Sequence, residues 1–161
     1  MKTKNKLRKA LGLYQTLGGL IGIALTVYIL LNSEEVLPLV MASILAVLAI
    51  YLFITYSGYL LFKGNKNAFR YSLVSQILQI PYFVIGAFLY QVVAGGHLTI
   101  HLLFQDAAYQ FGYQAYIGST FNISFLLQNN TSVLVGINIL PLIFIFLLKK
   151  AAKNDNQAKL F

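Results

Sequence analysis

Residues Leu11–Leu31 read LGLYQTLGGLIGIALTVYILL, a stretch without a single Asp, Glu, Lys or Arg. At 1.5 Å per residue, a helix of this length would be about 32 Å long, enough to cross a hydrocarbon core of about 30 Å. Three more uncharged stretches follow, at Val36–Phe62, Tyr71–Ala94 and about Thr131–Leu148. These predict an all-α integral membrane protein, a bundle of four transmembrane helices that forms a single domain over residues 1–161.

The composition of the whole chain agrees with a membrane protein. Of 161 residues, 58% are hydrophobic and only 10% are charged, whereas a soluble domain is about 25% charged. The chain contains no Cys, which excludes a disulfide framework, a thiolate metal site and a cysteine nucleophile.

The basic residues all fall on one side of the predicted bundle. They lie before the first span, between spans two and three, and after span four: Lys2, Lys4, Lys6, Arg8, Lys9, Lys63, Lys66, Arg70, Lys149, Lys150, Lys153 and Lys159. Glu34, Glu35 and Asp106 fall on the other side. The positive-inside rule therefore predicts cytoplasmic termini, with basic tails at 1–10 and 149–161, and we expect the inner membrane of a bacterium. This topology accounts for the charge without nucleic-acid binding.

Small residues recur at helical spacing on the first two spans. We expect helix packing at Gly12, Gly18, Gly19, Gly22, Ala42 and Ala46, because small side chains let helix backbones approach closely in lipid. The same residues could instead mediate contacts between copies of the chain or line a groove for a lipid or ligand.

Polar side chains inside the predicted spans need hydrogen-bond partners in lipid. The candidates are Gln15, Ser72, Ser75, Gln76, Gln79 and Asn138. They could bond to one another and hold the helices together, or the polar face of the third span could line a pore. No span contains an Asp, Glu, Lys, Arg or His, which argues against a proton-coupled transporter.

The link at 95–130 is predicted to be a small β-rich extracytoplasmic insert. Apolar and polar residues alternate in three short stretches, which is typical of strands with one buried face. A two-residue turn at Gly118-Ser119 would pair Ile117 with Thr120, whereas a three-residue turn would pair Ile117 with Phe121 and collect the apolar side chains on one face. The first stretch could also form a helix.

His97, His101 and Asp106 are the weak candidates for a metal site, since both imidazoles would lie on one side of a strand or a helix. A zinc site requires at least three protein ligands, so we expect no metal and no other cofactor. No catalytic triad, carboxylate pair or Gly-rich phosphate loop is found, and we predict that the protein is not an enzyme.

The sequence thus favours a non-catalytic membrane protein, such as an accessory subunit, a sensor or an immunity-type protein. Its partners would be the lipid bilayer and either further copies of itself or another membrane or periplasmic protein. The predicted outer interface is aromatic and comprises Tyr113, Tyr116, Phe121 and Phe125. The alternative is a homo-oligomeric channel for ions or small neutral solutes.

Overall fold

The structure is a computed structural model that describes residues 4–32, 37–86, 88–105, 108–125 and 132–158, with the side chains at 4–5, 123–125 and 154–158 left aside. The helices are α1 (Lys4–Asn32), α2 (Pro38–Lys63), α3 (Ala68–Ile77) and α4 (Ile139–Ala158). The strands are β1 (Pro81–Ile85), β2 (Phe88–Val93), β3 (Gly96–Gln105), β4 (Ala108–Ile117), β5 (Thr120–Phe125) and β6 (Val133–Asn138). The fold is therefore α+β, and the prediction of an all-α four-helix bundle is wrong.

The first two helices form an antiparallel pair with close backbone contact. A Cβ atom on Gly12 would lie 2.5 Å from the backbone nitrogen of Phe62, and one on Gly19 would overlap Thr55. A Cβ on Gly22 would overlap the ring of Tyr51. Within the described residues, two helices are long and apolar enough to cross a membrane, over Lys6–Asn32 and Pro38–Lys63.

The two shorter helices pack beside one end of this pair. Leu61 of α2, Ala68 at the start of α3 and Leu148 of α4 form a buried cluster with Leu11. Because Leu11 lies near the start of α1 and Leu61 near the end of α2, this cluster marks the end of the molecule where the chain begins.

The predicted third span is not one helix. Helix α3 ends at Ile77, and the chain continues as β1, a turn at Gly86 and β2. Pro81 lacks an amide hydrogen and disfavours helical geometry in the residue before it, so the helix cannot extend through this point. The following residues are mostly aromatic or β-branched, which suits strands better than helices.

The predicted fourth span is also divided. Residues 133–138 form β6, and α4 begins directly afterwards at Ile139. The side-chain oxygen of Asn138 accepts a hydrogen bond from the amide of Leu140 at 3.3 Å, as an N-cap residue does. Pro141 then sits in the first turn of α4, where a missing amide hydrogen costs little.

All six strands belong to one antiparallel sheet in the order β4-β3-β6-β1-β2-β5. β2 and β3 follow one another along one arm of a long hairpin, and β4 and β5 form the other arm. A single register continues from the pair Phe88↔Phe125 to the pair Gln105↔Ala108. The turn predicted at Gly118-Ser119 is therefore wrong in both versions, because β4 and β5 pair with different strands and not with each other.

The long hairpin bends sharply where its arms pass Gly95 and Gly118. Both glycines have positive φ, 93° and 145°, and the amide of Gly118 donates a hydrogen bond to the carbonyl of Gly95 at 3.2 Å. The bend, which we call the corner, lets β1 and β6 fit between β2 and β3. β4 and β5 form the opposite edges of the sheet, yet only residues 118 and 119 separate them in the chain. The sheet must therefore curl so that its two edges meet at the corner.

The corner is fixed to the helix pair. The hydroxyl of Ser119 donates to the carbonyl of Gly18 at 2.7 Å, and the hydroxyl of Tyr51 donates to the carbonyls of Val93 and Thr120 at 2.9 and 2.7 Å. A Cβ on Gly18 would lie 2.8 Å from the backbone at Ala94. One end of the sheet is thus anchored in the middle of α1 and α2.

Candidate functional site: the two faces and the free edge of the sheet

The sheet has one polar and one apolar face. Side chains of paired residues share a face, and the face alternates along each strand. The polar face carries the following side chains: Tyr82, Val84, Leu89, Gln91, Val93, His97, Thr99, His101, Leu103, Gln105, Ala108, Gln110, Gln114, Tyr116, Thr120, Asn122, Leu134 and Asn138. The apolar face carries Pro81, Phe83, Ile85, Phe88, Tyr90, Val92, Leu98, Ile100, Leu102, Phe104, Tyr109, Phe111, Tyr113, Ala115, Ile117, Phe121, Val133, Val135 and Ile137.

The curl makes the polar face concave around His101. This residue pairs with Gly112 on one side and Gly136 on the other. A Cβ on Gly136 would lie only 2.8 Å from the Cβ of His101, whereas facing Cβ atoms in a sheet are normally about 4.5–5.5 Å apart. A Cβ on Gly112 would lie 2.5 Å from Nε2 of the imidazole. The two glycines therefore make room for the histidine.

Buried polar groups cluster on this concave side. His97, Thr99 and Asn138 are each at most 2% exposed. Both ring nitrogens of His97, Oγ1 of Thr99 and Nδ2 of Asn138 have no hydrogen-bond partner among the described residues. The ring of Tyr116 stands edge-on to His97 with centroids 4.0 Å apart. Burial lowers the pKa of His97 and raises the pKa of Tyr116 to about 12, so both side chains are neutral at pH 7.

The structure does not assemble the metal-site candidates. His97 and His101 lie four residues apart on one extended strand, which separates their backbones by about 13 Å. Asp106 lies outside the described residues. No group of three His, Asp or Glu side chains occurs within the part of the chain that the structure describes.

Several of the predicted intramembrane polar residues bond to one another, and the others bond to α2 or to the sheet. The amide of Gln15 donates to the hydroxyls of Ser57 and Ser75. Ser72, Ser75, Gln76 and Gln79 are all at most 4% exposed. Gln79 accepts a hydrogen bond from the amide of Ala94 at 2.9 Å, and Asn138 accepts one from Leu98 at 3.1 Å. These side chains join α3 and the sheet to the helix pair.

The small residues predicted for helix packing divide into three groups. Gly12, Gly19 and Gly22 face α2, while Gly18 faces the corner. Ala42 and Ala46 of α2 are exposed.

The four predicted interface aromatics do not form one surface. Tyr113 is 76% exposed on the apolar face, but Tyr116 is on the polar face beside His97. Phe121 packs against the buried cluster around Tyr51, and the side chain of Phe125 lies outside the described set.

Four of the five most exposed large apolar side chains among the described residues lie on β4, an edge strand that pairs only with β3 in the described part of the sheet. Tyr109, Phe111 and Ile117 are 77%, 67% and 96% exposed. The alternation of 108–117 could have identified all three together with Tyr113. Their exposure was missed because a local pattern cannot tell an edge strand from a central one.

An apolar groove of about 460 Å³ lies between the apolar face of the sheet and the start of α4. Its lining includes Ile100, Phe111, Val135 and Leu142. The groove continues the exposed apolar surface of β4 towards the helices. Comparison with protein-family models, curated proteins and solved structures finds no match to this chain.

Proposed function

We propose that the chain is a non-catalytic protein of the bacterial inner membrane that assembles with a second copy of itself through β4. Helices α1 and α2 anchor it in the bilayer, and the curled sheet presents its free edge to the partner. The observation that carries this proposal is the edge strand itself, ten residues long, with four large apolar side chains exposed on one face.

The edge of β4 has the properties that favour strand addition. Soluble proteins protect edge strands with charges, prolines or bulges. Residues 108–117, AYQFGYQAYI, contain no charged residue and no Pro, and β4 pairs with β3 over all ten residues without a bulge. On its other side β4 has no strand partner among the described residues, so the backbone groups there can accept another strand.

A second copy suits this edge better than a partner with a charged strand. In a symmetric antiparallel pair, every residue of β4 faces a residue of the same strand. Like charges opposite each other would destabilise such a pair, and β4 has none. When the two sheets continue in the same plane, the side chains of each apolar face meet those of the other apolar face, and the glutamines meet residues of the polar face: Ala108, Gly112, Tyr116 or another glutamine.

The arrangement of charges supports an orientation with both termini in the cytoplasm. Lys6, Arg8 and Lys9 begin α1, while Lys63 ends α2. Lys149 and Lys150 follow Leu148, which packs against Leu11 and Leu61. The fold thus brings the basic segments to one end of the molecule, as the positive-inside rule requires of cytoplasmic segments.

Disulfide trapping tests the paired edge directly, because the chain has no cysteine of its own. Single cysteines replace Tyr109, Phe111, Tyr113 and Ala115 in turn, and the membranes are oxidised mildly. A residue on the two-fold axis faces its own image at about 4.5–5.5 Å between Cα atoms, within disulfide range. We expect the yield of disulfide-linked dimer to peak at one position and to fall on both sides of it.

Val135→Cys is the matched control, since Val135 is 48% exposed on the same face but lies on the central strand β6. It should give little dimer. Tyr113→Lys should abolish the dimer found by native mass spectrometry, while Tyr113→Phe should retain it. Equal trapping at Val135 and along β4, or a dimer that survives Tyr113→Lys, would refute edge pairing.

A homo-oligomeric channel is the second candidate, and the polar face of the sheet is the observation in its favour. Alternation of polar and apolar residues is typical of strands that line a water-filled lumen on one side and face lipid on the other. The serines and glutamines of 72–79 give no such support, because they are buried in contacts within the chain. Conductance of liposomes containing the protein, lost in Gln114→Lys but retained in Gln76→Ala, would favour the channel.

A further inference from the structure

A second groove lies between α3 and α4, away from the sheet edge. It has a volume of about 250 Å³ and is lined by Phe69, Arg70, Leu73, Leu148, Lys149 and Ala152. Leu148 is 2% exposed and belongs to the cluster that joins the four helices, with Phe69 packed against it. The groove therefore has an apolar floor on a rigid support.

Two cations border this apolar floor. Arg70 comes from α3 and Lys149 from α4, and both are exposed. The acidic residue nearest to Lys149 in the sequence is Asp155. Asp155 follows Lys149 by six residues on α4, about 9 Å along the helix axis.

The geometry points to a binding site for one anionic phospholipid, with an acyl chain against Phe69, Leu73 and Leu148 and the phosphate between Arg70 and Lys149. Arg and Lys both bind phosphate, Arg through a planar fork of donors and Lys as a point charge. Basic pockets between helices on the cytoplasmic side of a membrane protein bind anionic lipid headgroups in this way. A soluble anion would leave the apolar floor unused, whereas a phospholipid occupies both parts of the groove.

The site lies at the level expected for a headgroup. Leu148 packs against Leu11 and Leu61, close to the basic ends of α1 and α2. A phosphate beside Lys149 would therefore lie at the membrane surface when the helix pair spans the bilayer. This inference rests on the membrane insertion of the proposed function, but it does not depend on strand pairing.

Native mass spectrometry of the detergent-solubilised full chain provides the test. The protein is titrated with phosphatidylglycerol and, separately, with phosphatidylcholine of the same acyl chains. We expect one phosphatidylglycerol to bind more tightly than any phosphatidylcholine. Arg70→Gln and Lys149→Gln should each weaken that binding about fivefold, as expected from roughly 1 kcal/mol per basic residue.

Lys66→Gln is the matched control, because Lys66 is an exposed cation in the link before α3 and does not line the groove. It should leave the affinity for phosphatidylglycerol unchanged. Equal affinity for both lipids, or an equal loss in Lys66→Gln, would overturn the site. The same spectra report the dimer mass, so loss of lipid binding in a protein that still dimerises would refute only this inference, and loss of the dimer alone would refute only strand pairing.

Discussion

The imidazole of His97 is 2% exposed and stands edge-on to the ring of Tyr116. Burial disfavours its charged form and lowers its pKa, so the folded protein binds this proton less readily than the unfolded chain, whose histidine pKa is about 6.5. Stability should therefore fall as the pH decreases below about 6.5 towards the lowered pKa. Thermal unfolding in detergent, followed by circular dichroism between about pH 7.5 and about pH 5.5, measures this loss.

His97→Gln is the control for that titration, because glutamine keeps a polar side chain but cannot take up the proton. The variant should show a flatter dependence of the unfolding temperature on pH, whatever its stability at neutral pH. Parallel pH profiles for the two proteins would mean that His97 does not contribute to the acid sensitivity.

At the level of elements, the corner depends on backbone conformations that only glycine adopts easily. Gly95 has φ 93°, and a Cβ there would lie 2.7 Å from the ring of Tyr14. Gly86 has φ 57° but open space around it. Gly86→Ala should cost about 1–2 kcal/mol from backbone strain alone, and Gly95→Ala should lower the free energy of unfolding by more, because the Tyr14 ring must also move. Denaturant unfolding in micelles gives both values, and an equal loss in the two variants would contradict the fixed corner.

The elements also show what could be predicted from the sequence. α1 and α2 are helices close to their predicted limits, Leu11–Leu31 and Val36–Phe62. The predictions of the third and fourth spans are wrong because a continuous apolar stretch has no hydrophobic periodicity that would distinguish a buried helix from a buried strand. Pro81 and Gly86 carry the missing information, as do the aromatic and β-branched residues of 81–93, although the uncharged stretch Tyr71–Ala94 as a whole predicts a single span.

The candidate site was predictable only in part, for a similar reason. The predicted aromatic interface includes Tyr113, which is exposed, and the alternation of 108–117 could have added Tyr109 and Phe111. Tyr113 and Tyr116 lie on opposite faces of the sheet because they are three residues apart on one strand. The burial of Phe121, by contrast, depends on its contact with Tyr51, which is far away in the chain. Arg70 and Lys149 likewise become neighbours only when α3 packs on α4.

At the level of the whole molecule, the fold brings the basic segments to one end and places the sheet further along the helix pair. In the proposed orientation, Asn65→Cys should react with an impermeant thiol reagent only after cell lysis, and Leu31→Cys, near the other end of α1, should react in intact cells. Asn65 and Leu31 are both exposed, so access to each depends on the membrane side. Labelling of Asn65→Cys in intact cells would reverse the orientation.

The unbroken register of the long hairpin limits how the length of this chain can vary. A one-residue insertion within a single arm would shift every subsequent pair and exchange the side chains of the two faces on that arm. A matching insertion in the opposite arm would restore both the pairing and the alternation. Related chains can therefore lengthen between Gln105 and Ala108 without disturbing the register, whereas within β2, β3, β4 and β5 a change in length persists only when both arms change together.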